Sequence, residues 1–239
     1  MNENMTGRTV IITGAAGGVG SEVTKRWVET GANVLAVERS KETLDNLRAS
    51  LPPSPRFAIF PTDVTTEEGT AAMVEAARNA FEMEPDTLIH LVGGFAMGPL
   101  DSEQAPSQWE NMLLLNLTSN FHSYRAILPA LKRRGGGWIL GIGSRVGVHP
   151  SAQMAAYAAS KAGLIALTHA LSEEVKDAGI HVNLLLASNI DTPANRHAMG
   201  DADAAKWITP DDIAEATLYL CSNQGRAVYG GTLEIYGRS

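Results

Sequence analysis

The sequence predicts a doubly wound α/β domain, a seven-stranded parallel sheet with helices on both faces. Three observations carry that prediction. Apolar bursts alternate with helix-spaced stretches along the whole chain, the sign of repeated strand–helix units. The burst at 180–186 is a largely apolar run suited to the centre of a parallel sheet. At 239 residues and 44% apolar content the chain has enough material for one large core. Right-handed crossovers place helices on both faces, and a closed eight-stranded barrel lacks its eighth unit.

Residues 8–13 form the first strand, and a glycine-rich turn leads into a helix ending near Thr30. Strand 33–38 follows, then helix 42–51, stopped by Pro52, Pro53 and Pro55. Strand 56–61 precedes helix 67–81, with Met73, Ala76, Ala77 and Ala80 on its inner face. Strand 87–92 comes next, and then a long helical pattern over 109–131, bent near Asn116. Strand 138–142, helix 155–178 and strand 180–186 follow in turn. Segment 187–209 has no period and reads as a substrate lid, before helix 210–221 and strand 232–236 close the domain, which spans 1–239.

The net charge of −7 argues against nucleic acid, whose binders carry a basic stripe. No run of 18 apolar residues is present to span a membrane, and residues 1–7 lack the apolar core of a secretion signal. Cys221 is alone, so no internal disulfide is expected, and a reducing cytoplasm is the expected compartment. His90, His122, His149, His169, His181 and His197 show no metal-ligand spacing and read as ordinary core or surface residues, with no metal expected.

The turn after the first strand reads Thr13-Gly14-Ala15-Ala16-Gly17-Gly18-Val19-Gly20. Glycines there let backbone approach a pyrophosphate at a helix N-terminus. No Lys-Ser/Thr follows Gly20, which argues against a magnesium-dependent phosphate loop. Eighteen residues on, Glu38-Arg39 ends the second strand. An acid there accepts from ribose hydroxyls and repels a 2′-phosphate, so NAD(H) is favoured; Arg39 is placed to pair with that phosphate, so NADP(H) stays possible. Tyr157 and Lys161, four apart on a helix, share a face. A phenol with a pKa of ~10 becomes a usable acid–base group when an ammonium lies beside it.

These features, with Asp63-Val64, Asn116, Ser144 thirteen residues before Tyr157, and Thr192-Pro193, resemble the classical short-chain dehydrogenase/reductase family in their order and spacing. The resemblance runs from about residue 7 to the C-terminus. It implies a Rossmann fold and hydride transfer between a nicotinamide and a carbonyl or alcohol, with Tyr157 as general acid or base. Lys161 would bind the nicotinamide ribose and depress the Tyr157 pKa, Ser144 would donate to the substrate oxygen, and Asn116 would hold a water relaying protons to Lys161. Gly14, Gly18, Val19, Gly20, Glu38, Arg39, Asp63, Val64, Val92, Gly93, Ile190 and Thr192 would hold the cofactor, with Ile190 and Thr192 at its carboxamide.

Two motifs depart from the family. His90-Leu91-Val92-Gly93 stands where Asn-Asn-Ala-Gly is usual, and Ala187-Ser188 where Pro-Gly is usual. Val92-Gly93-Gly94-Phe95-Ala96, Asp191-Thr192-Pro193-x-Asn195-Arg196 and Trp207-x-Thr209-Pro210 resemble dihydropteridine reductase instead. That activity and a non-catalytic NAD-binding sensor are the alternatives carried forward.

Leu113, Leu114, Leu115, Phe121 and Leu128, with Ala158, Ala159, Ala162 and Ala166, offer more apolar surface than one sheet face needs. The resemblance implies that these helices pair about a two-fold axis, giving a homotetramer. Asp191, Arg196, Asp201, Asp203 and Lys206 in the lid point to a small, fairly polar substrate, while Phe95, Met97, Met154 and Met199 would tolerate a ring. Gly200 and the alanines around it point to a lid that orders on binding.

Overall fold

A strand covered by helices on both faces needs no polar side, and β1 (Thr9–Thr13) is buried at every residue. It heads the alternation seen in the computed structural model, which describes residues 4–238. The chain continues through α1 (Gly20–Glu29), β2 (Asn33–Glu38), α2 (Lys41–Ala49), β3 (Phe57–Pro61), α3 (Glu67–Phe81) and β4 (Thr87–His90). Then come α4 (Ala105–Leu113), a π-helical turn (Leu114–Thr118), α5 (Ser119–Arg134), β5 (Gly137–Ser144), α6 (Ala155–Val175) and β6 (Ile180–Ala187). The last elements are α7 (Pro193–Met199), α8 (Pro210–Leu220) and β7 (Thr232–Ile235).

The seven strands form one parallel sheet in the order β3-β2-β1-β4-β5-β6-β7. Two apolar cores sandwich it. Val23, Trp27, Leu44, Ile213 and Ala216 bring α1, α2 and α8 to one face. Met73, Ile127, Leu131, Leu164 and Val175 bring α3, α5 and α6 to the other. Strand order reverses between β1 and β4, and register aligns Thr13 with His90 and Ser144 with Ala187 at the carboxyl edge. In open parallel sheets that reversal makes the crevice where ligands bind.

Several expected boundaries move. The single helix at 109–131 is two helices joined by the π turn, which is the expected bend at Asn116. It begins earlier, where Pro106 sits in the first turn of α4. Segment 187–209 contains a helix, α7, capped by Thr192 with Pro193 following, but too short to show a period. Ala80 is exposed on α3, and Val74 takes the buried position instead. β4 ends at His90, two residues short of the expectation, because the chain leaves the sheet to form the crevice wall. The first three residues of the N-terminal stretch lie outside the described residues. No described helix is long and apolar enough to cross a membrane.

Candidate active site

The glycine turn is packed too closely for side chains. Gly14 has φ +67°, and a Cβ on it would lie 3.1 Å from the Leu91 carbonyl carbon and the Val92 nitrogen. A Cβ on Gly20 would overlap the Gly14 carbonyl oxygen. Val19 precedes α1 without a side-chain cap, whereas Ser40, Thr66, Thr192 and Thr209 cap α2, α3, α7 and α8. The N–H groups opening α1 therefore have no side-chain acceptor from the cap position, which suits an anion. A Cβ on Gly18 would stand 3.3 Å from the Thr192 methyl group, so the turn meets the start of α7 over the crevice. These features fit a dinucleotide pyrophosphate.

Further along the edge, the Thr62 N–H donates to the Glu38 carbonyl at 2.9 Å, placing the end of β2 beside Asp63. The Glu38 carboxylate accepts from the Arg39 N–H at 2.9 Å. Asp63 Oδ1 accepts from the Thr65 hydroxyl at 2.7 Å and the Thr65 N–H at 2.9 Å. Those bonds, with a smaller contribution from the Arg39 charge, hold Asp63 below the ordinary carboxylate range despite burial. Val64 is buried and turns its side chain into the core. Ile190 bridges Ile208, and its carbonyl already accepts from Thr192 N–H at 2.9 Å and Asn195 Nδ2 at 2.7 Å. Thr192 Oγ1 accepts from Asn195 N–H at 3.2 Å.

On the other side of the crevice, β5 delivers Ser144 and α6 delivers Tyr157 and Lys161. Ser144 Oγ accepts from the Val146 N–H at 3.2 Å, opening a short helical turn, and is hydrogen-bonded to Tyr157. Burial raises the Tyr157 phenol above its ordinary value, and the Ser144 bond offsets only part of this. This corrects the expectation of a depressed phenol. Lys161 Nζ lies 5.9 Å from the Tyr157 ring centre and donates to the Ile142 carbonyl at 2.8 Å. Burial pushes Lys161 down to about 8.

Asn116 is fully buried at the centre of the π turn. Its Oδ1 accepts from Gly94 N–H at 2.9 Å, and its Nδ2 donates to the Gly94 carbonyl at 3.0 Å and Ser160 Oγ at 3.1 Å. The side chain thus clamps the loop after β4. The Asn116 carbonyl accepts from Asn120 Nδ2 at 2.9 Å. A Cβ on Gly93 would come 2.8 Å from Asn116 Oδ1 and 3.5 Å from Lys161 Nζ, so these three residues meet.

The family model described as short chain dehydrogenase matches residues 8–202. The chain belongs to the short-chain dehydrogenase family. It is a nicotinamide-dependent oxidoreductase acting between CH–OH and C=O groups. Among its relatives, 3beta-hydroxysteroid dehydrogenase 1 of Eggerthella lenta is 31% identical, with 99% of this chain and 95% of that protein covered. The 2,5-dichloro-2,5-cyclohexadiene-1,4-diol dehydrogenase LinX of Sphingobium indicum is 29% identical, covering 99% and 98%. A 3-ketoacyl-(acyl-carrier-protein) reductase from Brucella melitensis, solved with NADH, superposes with a TM-score of 0.87 at 27% identity, covering 97% and 98%.

Within this family frame, His90 is the residue that sequence reasoning undervalued. It is fully buried between β1 and α5, with Nδ1 3.0 Å from Thr13 Oγ1 and Nε2 3.1 Å from Ser119 Oγ. The Ser119 hydroxyl donates to the Leu115 carbonyl at 2.6 Å, so Ser119 Oγ accepts from His90 and the imidazole carries its proton on Nε2. Nδ1 then accepts from Thr13. The imidazole thereby joins the glycine turn's strand to the π turn that presents Asn116. Burial, helped by the Lys161 charge, pushes His90 down to about 3. His181 is a core residue, stacked between Trp138 and Tyr229. No sequence period links Thr13, His90 and Ser119; only the sheet order brings them together.

The Ala187-Ser188 departure is stitched down as well: the Ser188 hydroxyl donates to the Tyr236 carbonyl at 2.7 Å. The charges of segment 187–209 pair with one another. Arg196 binds Asp191 at 2.5 Å and Asp201 at 3.2 Å, and Lys206 binds Asp203 at 2.6 Å. They give a polar substrate less to recognise than their number implied.

Proposed function

We propose that the chain is an NAD(H)-preferring short-chain dehydrogenase interconverting a secondary alcohol and its ketone, with Tyr157 as acid and base. The observation that carries this is a largely buried phenol bonded to Ser144, with Lys161 Nζ 5.9 Å from its ring, at the sheet's carboxyl edge. The nicotinamide supplies or accepts the hydride when bound. Tyr157, held protonated by burial, donates its proton to the carbonyl oxygen during reduction and recovers one during oxidation. Ser144 donates a hydrogen bond to the same oxygen. Lys161 holds ribose hydroxyls and favours the phenolate as it forms, and the Asn116 carbonyl holds the relay water.

Gly14, Gly18, Val19 and Gly20 cradle the pyrophosphate, Glu38 takes the adenosine ribose, and Asp63 with the Val64 backbone takes the adenine edge. The Val92 and Gly93 backbone borders the cofactor, while Thr192 and the Ile190 N–H serve the carboxamide. Residues 187–209 act as a lid that orders on binding. Relatives named for hydroxyl-bearing substrates support a secondary alcohol here. The lone buried Cys221 supports work in a reducing cytoplasm.

With saturating ketone, NADH should outperform NADPH by about tenfold in kcat/KM, the scale of one unfavourable charge contact. A preference for NADPH would mean that Arg39 and not Glu38 governs the adenosine pocket.

Assembly as a homotetramer is supported by exposed Trp109, Leu114 and Phe121 beside exposed Ala159, Ala162 and Ala166. Ala158, expected on the same face, is buried, and Leu113, Leu115 and Leu128 are half-buried. Sedimentation should give four times the 25.4 kDa chain mass, and a single-chain mass at micromolar concentration would refute it.

A further inference from the structure

Phe95 is 58% exposed, yet its ring stands edge-on to Tyr157, with centroids 5.1 Å apart and planes at 79°. An aromatic left mostly in water contributes little to folding, so its placement against the Tyr157 ring needs another reason. The loop that carries it is anchored on both sides. Asn116 grips both backbone groups of Gly94, immediately before Phe95. Three residues after it, the Gly98 N–H donates to the Gln153 carbonyl at 2.7 Å. Gln153 itself sits at φ +65°, a strained conformation for a side-chain-bearing residue, at the approach to α6. Met97 in the same loop and Met199 at the end of the lid helix are each 50% exposed. The lid's own charges are engaged with each other.

We propose that Phe95 is the wall of a ring subsite, and that the substrate is an uncharged cyclic ketone or its secondary alcohol. The ring packs against Phe95 while its oxygen reaches Ser144 and Tyr157. In reduction the carbonyl carbon gains a hydride from NADH, leaving NAD+, and the oxygen gains the Tyr157 proton, so the product is the ring alcohol. This rests on the acid–base reading of Tyr157.

Cyclohexanone and 2-hexanone share carbon number and reacting group, and differ in the ring. With NADH, kcat/KM for cyclohexanone should exceed that for 2-hexanone at least about tenfold, the scale of burying a ring against an aromatic face. Phe95→Ala should bring the ratio to within about threefold of one, chiefly through KM, whereas Phe95→Tyr should keep it. Phe95→Leu, which keeps apolar bulk, should fall between them and covers the case in which the alanine variant does not fold. A wild-type preference for 2-hexanone, or equal losses on both ketones in Phe95→Ala and Phe95→Leu, would overturn the proposal.

Saturation-transfer NMR of cyclohexanol with the NAD complex separates this from the chemistry. If no ketone turns over but cyclohexanol still binds in a Phe95-dependent way, the ring subsite stands and the Tyr157 reading falls. If cyclohexanol shows no contact, the ring subsite is wrong whatever the rates.

Discussion

Replacing Tyr157 with Phe is expected to lower kcat by about 10²-fold or more while NADH affinity stays within about twofold. The substitution removes one oxygen from a ring that keeps its edge contact with Phe95 and its neighbour Lys161. What disappears is the proton delivered to the substrate oxygen and the bond to Ser144. Since that proton moves in the transition state, the loss falls on turnover and little of it on cofactor binding. Steady-state rates with an accepted ketone, paired with a fluorescence titration of NADH, check both halves. Unchanged turnover would remove Tyr157 from the reaction; a large loss of NADH affinity would make it a cofactor-binding residue instead.

The second large effect concerns acid stability and His90. Its native pKa is pushed down to about 3 from an ordinary 6.5, because the ring is buried and Lys161 lies near. The unfolded chain therefore binds a proton at this ring below about pH 6.5 that the native protein refuses until about 3. Stability present above the unfolded value is lost as the pH falls through that window, on the order of 5 kcal/mol in all. His90→Asn removes the titration and keeps a polar side chain between Thr13 and Ser119. Urea unfolding measured from neutral pH to about 4 should show a clearly shallower decline for the variant. His90→Leu should instead lose about 2 kcal/mol at neutral pH, because two buried hydroxyls lose their partner. Parallel pH dependence in wild type and His90→Asn would show that the imidazole is not held neutral.

The strands and their parallel pairing were legible because apolar runs such as residues 9–13 and 33–38 are local, and so was the glycine turn, whose meaning lies in its position after a strand. Helix α7 was not legible, since seven residues give no period and only its Thr192-Pro193 start marks it. The π turn was visible only as a break in a long pattern.

The alternation of apolar runs and helical stretches determined the fold class, and the spacing of Tyr157 and Lys161 put them on one helix face; the candidate roles of Ser144, Tyr157 and Lys161 came with the resemblance that the motifs carry. Tertiary structure alone decided what each side chain faces. It turned Asn116 onto Gly94, set Lys161 on the Ile142 carbonyl, paired the lid's charges and stood Phe95 against Tyr157. It also joined Thr13, His90 and Ser119 across β1, β4 and α5, from 77 and 29 residues away in sequence. Those contacts depend on burial and on which strands become neighbours, and neither is encoded in any local stretch of the chain.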